Sequence, residues 1–304
     1  LLASDLVAAL TFAVVNVPQA MGHALLATVN PVLGIFTLMV AVPVGAIFNS
    51  SVFMNVSSTA ALSVAAGVVL LEFPADRKVE ALVVLVLLVG VIQLLAGLFK
   101  LGFLVRFVSN AVMTGFLNGV AVLIILGQLG DLTGFSSSFS NRVLQTLELM
   151  LRPTHINLAT TIIGLLTLGL MVLLLATPLR KFAFLIAIVA STLLLAVLSL
   201  PVLGTESSFG AVQTVGDISA IPRSLPSLML PEPALLLKML LPAFSIAIIG
   251  LIQGAGVSQA YPNPDGKYPN ISRDFLGQGV ANIGVSLVGG IPGGGSISGT
   301  ALIM

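Results

Sequence analysis

The stretch ALVVLVLLVGVIQLLAGL, residues 81–98, is apolar around its whole circumference. A barrel strand alternates polar and apolar residues with period two, and a surface helix keeps a polar stripe. This stretch does neither, so it must close its own backbone hydrogen bonds as a helix within hydrocarbon. About 20 helical residues cross the roughly 30 Å core of a bilayer. Reading apolar runs against chain breakers gives ten segments, at about 5–27, 32–48, 53–71, 79–98, 108–130, 158–176, 182–203, 239–259, 273–290 and from 296 onward. The composition agrees, with 57% of the 304 residues hydrophobic and 8% charged, where soluble domains carry about 25% charged residues. The sequence therefore predicts an all-α, polytopic membrane protein. Twelve basic residues against eleven acidic ones form no basic patch for nucleic acid. With no cysteine, disulfides and thiolate metal sites are excluded. No metal or cofactor is expected. The sequence has no G-x-S-x-G, no H-E-x-x-H and no paired intramembrane aspartates, which argues against an intramembrane enzyme.

Several segments are not simple spans. Pro18 interrupts the first and Pro43 the second, and the third offers only 56–71 as clean helix, about 24 Å at 1.5 Å per residue. The tenth follows GGIPGGGS, residues 289–296, whose glycines and proline cannot form helix. Non-helical backbone at membrane depth survives only where protein or a water-filled cavity covers it, so something polar is expected there. The longer connections are 131–157 and 204–238, and a turn-rich loop occupies 261–271. With the N-terminus inside, Lys100, Arg106, Arg180, Lys181, Lys267 and Arg273 fall inside and six other cations outside. That tie is broken only by the shorter inside loops. The chain opens within an apolar pattern without a basic leader, so no signal peptide is read, and both ends read as cuts.

One short phrase occurs twice. Val56-Ser57-Ser58-Thr59-Ala60 in the third segment matches Ile297-Ser298-Gly299-Thr300-Ala301 in the tenth, and each set of three segments carries a glutamine in its first member, Gln19 and Gln253. The offset of seven segments is odd, so the second set crosses the membrane in the opposite sense, as in the inverted repeats of secondary transporters. A helix that starts within the membrane leaves its first N–H groups unpaired and presents about half a positive charge. Ser and Thr cap such starts, while Ala and Gly let an anion approach the backbone. Small residues also serve helix packing, which explains one copy as well as binding does. Two copies at matched breaks favour a site. GLIQG, 250–254, reads as a close-packing GxxxG, and GQG at 277–279 lacks the strand a dinucleotide loop requires. Asp5 and Asp274 sit at segment starts, where a carboxylate suits the helix dipole.

At these residues the chain resembles the SulP family of anion permeases, which includes sulfate permeases, bicarbonate importers, pendrin and prestin. DLVAALTFAVVNVPQAMGHALLA resembles the family's first helix, VSSTAALS its third, IPRSLPSLMLPEP the approach to its eighth, and SRDFLGQGVANIGVSLVGGIPGGGSISGTA its ninth and tenth. The resemblance implies a fold of fourteen segments in two inverted halves of seven, of which ten are present here. Residues 1–105 and 236–304 would belong to a core domain, 106–235 to a gate domain, and the family's STAS domain is not in this sequence. It implies an anion held between the starts of segments three and ten, near Ser57, Ser58, Thr59, Ala60, Ser298, Gly299 and Thr300, lined by Gln19, His23 and Gln253. Many relatives carry arginine where Gly299 aligns, bacterial relatives often carry a carboxylate at Gln253, and His23 replaces a residue that is often aromatic. His23 reads equally well as a neutral ring bonded to a neighbouring carbonyl. The expected activity is secondary transport of sulfate, bicarbonate or chloride by alternating access. Alternatives are a nucleobase permease of the same architecture and an anion channel. The expected partners are a small inorganic anion and the lipid bilayer of a bacterial plasma membrane, with a homodimer left open.

Overall fold

The computed structural model describes residues 2–107, 110–135, 137, 139, 142–199, 212, 225–297 and 299–300. Among them are ten α-helices: α1 (Leu2–Leu26), α2 (Val32–Phe48), α3 (Ala60–Leu70), α4 (Lys78–Leu98), α5 (Asn110–Thr133), α6 (Arg142–Leu151), α7 (Leu158–Leu175), α8 (Ala183–Leu198), α9 (Leu236–Ala260) and α10 (Ile271–Ser286). Two four-residue strands, β1 (Asn55–Ser58) and β2 (Gly293–Ser296), precede α3 and the start of the tenth segment. Three spans, Ala75–Leu98, Leu158–Leu175 and Pro233–Ala260, are long and apolar enough to cross a membrane unaided.

The chain divides into two compact units, Leu1–Val120 with Ser219–Met304, and Ala121–Ile218. In the second unit, α7 starts at the cap Asn157, whose side chain accepts from Thr160 N at 3.1 Å and whose N–H donates to Thr133 O at 2.9 Å. In the first unit, α4 lies at the centre with α10 and α9 packed on it. Its closeness to α10 has a steric cause. A Cβ on Gly90 would fall 2.7 Å from Ile283 N, and one on Gly279 would fall 2.3 Å from Leu94 N. Backbone thus meets backbone, which is how helices associate where lipid tails are as apolar as the side chains. Leu82, Leu85, Met239 and Ile246 fill the space around this contact and are almost wholly buried.

Four expectations are corrected. Helices α1 and α2 run through Pro18 and Pro43 without a break, since one missing N–H is tolerated where neighbouring helices cover the kink. Residues 55–58 are extended rather than helical, so α3 has 11 residues, about 17 Å. The ninth segment, α10, stops at Ser286, short of 290. The connection 131–157 contains the helix α6. Most of 204–224 lies outside the described residues.

A buried carboxylate fixes the linker between α2 and β1. Asp274, fully buried in the first turn of α10, accepts from Ser50 N (2.7 Å), Ser50 Oγ (2.8 Å), Ser51 N (3.1 Å) and Ser258 Oγ (2.7 Å). Four donors replace the water that a carboxylate would otherwise need. The structural reading of Asp274 gains its detail here: it ties α10 and α9 to the chain that enters β1.

Candidate functional site

β1 and β2 pair antiparallel, with Asn55 opposite Ser296, Val56 opposite Gly295, Ser57 opposite Gly294 and Ser58 opposite Gly293. All eight residues are buried. Pairing explains why both breaks are extended: each strand supplies partners for backbone groups that a broken helix leaves bare, in surroundings without water. β1 overlaps the first copy of the repeated phrase, and β2 directly precedes the second. Because the strands are antiparallel, α3 leaves from the Ser58 end and the tenth segment leaves from the Ser296 end, about 10 Å away at 3.4 Å per residue. The chain thus enters the two segments from opposite ends of the ribbon.

The first start is dressed by side chains. Thr59 is extended (φ −126°, ψ 149°) and its Oγ1 accepts from Leu62 N at 3.4 Å, capping α3. The same hydroxyl donates to Gln253 Oε1 on α9 at 3.1 Å. His23 Nδ1 on α1 lies 3.0 Å from Ser58 Oγ. Gln19 is half-buried one helical turn before His23, and Ala60 is the half-buried first residue of α3. The N–H groups of Ala60 and Ala61 lie in the first turn, beyond the reach of hydrogen bonds within the helix.

The second start is built differently. Ser296 Oγ accepts from Gly299 N at 3.0 Å, and Thr300 Oγ1 donates to Ser296 O at 2.6 Å while accepting from Asn55 N at 3.2 Å. Ser57 Oγ accepts from Asn55 Nδ2 at 3.0 Å. Gly299 and Thr300 are buried. Ser298 lies outside the described residues. The structure therefore gathers His23, Ser58, Thr59 and Gln253 at one end of the ribbon, and Ser57, Gly299 and Thr300 around Asn55 at the other.

Residues not singled out in the sequence hold β2 in place. Asn282 on α10 grips one peptide at both ends: its Nδ2 donates to Gly293 O and its Oδ1 accepts from Gly293 N, each at 2.8 Å. Gln93 on α4 steadies it, Oε1 accepting from Asn282 Nδ2 at 2.7 Å. Gln278 Oε1 accepts from Gly295 N at 3.4 Å. The GLIQG glycines on α9 do more than let helices touch. A Cβ on Gly250 would fall 2.6 Å from Gln93 Nε2, and one on Gly254 would fall 2.1 Å from Gln278 Nε2. Those glycines make room for the two amides beneath β2. Asp274, Gln278, Asn282 and Ser286 follow one another at every fourth residue of α10, all at most 1% exposed. Four polar residues in one row of an apolar segment are a signal that sequence alone offers.

The comparisons agree with this architecture. Residues 2–304 match the sequence profile described as the sulfate permease family. A probable sulfate transporter of Mycobacterium tuberculosis is 29% identical over 306 residues, covering 99% of this chain and 53% of its own length. The chloroplastic sulfate transporter 4.1 of Arabidopsis thaliana is 28% identical, covering 98% of this chain and 44% of its own. The chain thus spans about half the length of the curated relatives it matches. Among solved structures, the transmembrane domain of the cyanobacterial bicarbonate transporter BicA superposes with a TM-score of 0.84 at 24% identity, covering 99% of this chain and 76% of that one. The murine anion transporter Slc26a9 in its inward-facing state gives 0.82 at 19% identity, covering 98% and 52%. The fold is that of an integral membrane transporter with inverted repeats and two broken half-helices. By its sequence from end to end, this chain belongs to the sulfate permease family.

Proposed function

We propose that the chain is the greater part of the membrane domain of a secondary transporter for small inorganic anions. In this reading the anion sits beside the β1–β2 ribbon, within the field of both half-helix starts. The observation that carries the reading is the pairing of β1 with β2, which leaves the two strand ends that lead into the half-helices about 10 Å apart along the ribbon, in buried surroundings. Each start contributes about half a positive charge, and unpaired N–H groups give that charge direction. Thr59 holds the first start in place, its hydroxyl donating to Gln253, and Ser58 Oγ lies against the His23 ring. Residues 1–105 and 236–304 form the moving core in this reading, and 106–235 contribute to the gate.

Two features narrow the cargo. Gly299 stands where many relatives carry arginine, so the positive field comes from the helix starts alone, about one unit in all. That matches a monovalent anion such as bicarbonate or chloride better than a dianion. Gln253 is neutral and bonded to Thr59. It cannot take up a proton or offer sodium a full negative charge, so coupling through this position is not expected.

The test is uptake of labelled bicarbonate and sulfate into proteoliposomes holding the chain. Thr59→Leu removes the cap and fills the space before Ala60, and uptake is expected to fall to background while the protein stays monodisperse. Uptake at the wild-type rate would reject the site. Competition by uracil without competition by either anion would move the protein to the nucleobase permeases.

A further inference from the structure

The far end of α4 lies away from the ribbon. There α4 stops and α10 starts, and between them runs a groove of about 410 Å³ whose lining includes Leu98, Lys100, Asn270, Ser272, Arg273 and Leu276. Asn270 caps α10 by accepting from Arg273 N at 3.2 Å, and Ser272 Oγ accepts from Gly102 N at 3.1 Å, so the wall is rigid. Lys100 and Arg273 are exposed, and among the described residues neither forms an ion pair. Among the described residues Arg273 engages its Nε alone, which donates to Phe48 O at 3.3 Å, leaving the terminal nitrogens of a planar, bidentate donor.

Beside these two cations the surface is apolar. Leu95, Leu98, Phe99, Phe103 and Leu104 are 43–71% exposed. An apolar band bordered by cations suits acyl chains, with the cations at headgroup depth. Lys100 also occupies a backbone position that argues for its side chain. It follows the cap Phe99 with φ +56°, where glycine would sit without strain. The lysine thus stands at a position that a side chain strains.

We propose that this groove binds the phosphate headgroup of an anionic phospholipid, with Lys100 and Arg273 on the phosphate and Leu98 and Leu276 along the first part of an acyl chain. The two cations come from loops far apart in sequence. Both fall on the cytoplasmic side if the N-terminus is inside, and cytoplasmic leaflets hold anionic lipid. A soluble phosphate would match the cations but would leave the apolar wall and the neighbouring band without a partner. The site does not depend on the transport reading.

The experiment is native mass spectrometry of the purified chain in detergent with equal amounts of phosphatidylglycerol and phosphatidylcholine. The wild type is expected to retain phosphatidylglycerol preferentially. Lys100→Gly is expected to lower that retention about fivefold, the worth of one basic residue near the surface. Because glycine relaxes the left-handed backbone, the melting temperature of this variant should equal or exceed that of the wild type, which separates a lost site from a lost fold. Arg273→Gln should lower retention to a similar extent, and Lys267→Gln, an exposed cation of the α9–α10 loop, should leave it unchanged. Excess inorganic phosphate should not displace the lipid. Equal retention in Lys100→Gly, equal retention of the two lipids, or displacement by inorganic phosphate would each overturn the proposal.

Discussion

β1 and β2 are the same length and equally buried, and each leads into a helix that begins inside the protein, yet they are held in opposite ways. β1 carries side chains of its own: Val56 is 1% exposed, and Ser57, Ser58 and Thr59 bond to Asn55, His23 and Gln253. β2 is Gly-Gly-Gly-Ser, so its position is imposed by amides of its neighbours, Asn282 and Gln278. The ribbon thus joins a strand that positions itself to a strand that is positioned. The cause is space. Gly295 lies so near α9 that a Cβ on it would fall 2.7 Å from Gly254 Cα, and a strand without side chains can approach that closely only if other residues supply its fixings.

The sharpest way to break this contrast is to give β2 a side chain. Gly295→Val must displace the backbone of α9, and is expected to destabilise the chain by about 3 kcal/mol or more. The paired change on β1, Val56→Ala, should cost about 2 kcal/mol. Melting curves in detergent read both, and a well-folded Gly295→Val would end the steric account. Of comparable size is Asn282→Leu, which leaves the N–H and C=O of Gly293 without the Asn282 amide, at about 1–3 kcal/mol for each group. If Asn282→Leu melts with the wild type, β2 is not held by its neighbours. The smallest effect belongs to the self-positioned strand. Thr59→Ala removes a helix cap and should cost about 1 kcal/mol, with Thr59→Ser restoring most of it.

The sequence revealed the segments because hydrophobicity is a property of composition, and ten apolar runs survive any error in their ends. It revealed the break before the tenth segment because the proline and glycines of 289–296 act locally. What it hid depends on partners. Residues 56–58 read as helix, since Val, Ser and Ser forbid nothing, and only β2, more than 200 residues later, makes them a strand. Proline misled for the same reason: Pro18 and Pro43 are breakers in isolation but sit within α1 and α2. Of the expected site, His23, Ser58, Thr59 and Gln253 are brought into contact at one end of the ribbon, and the other end needed Asn55. Gln93, Gln278 and Asn282 escaped because an amide in an apolar helix announces that it has a partner without naming it. Their role emerges only beside a strand that has no side chains to spend.

The central claim is that an anion rests beside the ribbon in the field of the two half-helix starts. Crystals of the chain grown in bromide and measured at the bromine absorption edge test it without relying on flux. The account predicts an anomalous peak within hydrogen-bonding reach of the N–H groups of Ala60 and Ala61, next to the Thr59 hydroxyl, and its loss in Thr59→Leu. Well-diffracting crystals whose bromide peaks lie only on the outer surface, with none at the ribbon, would contradict it.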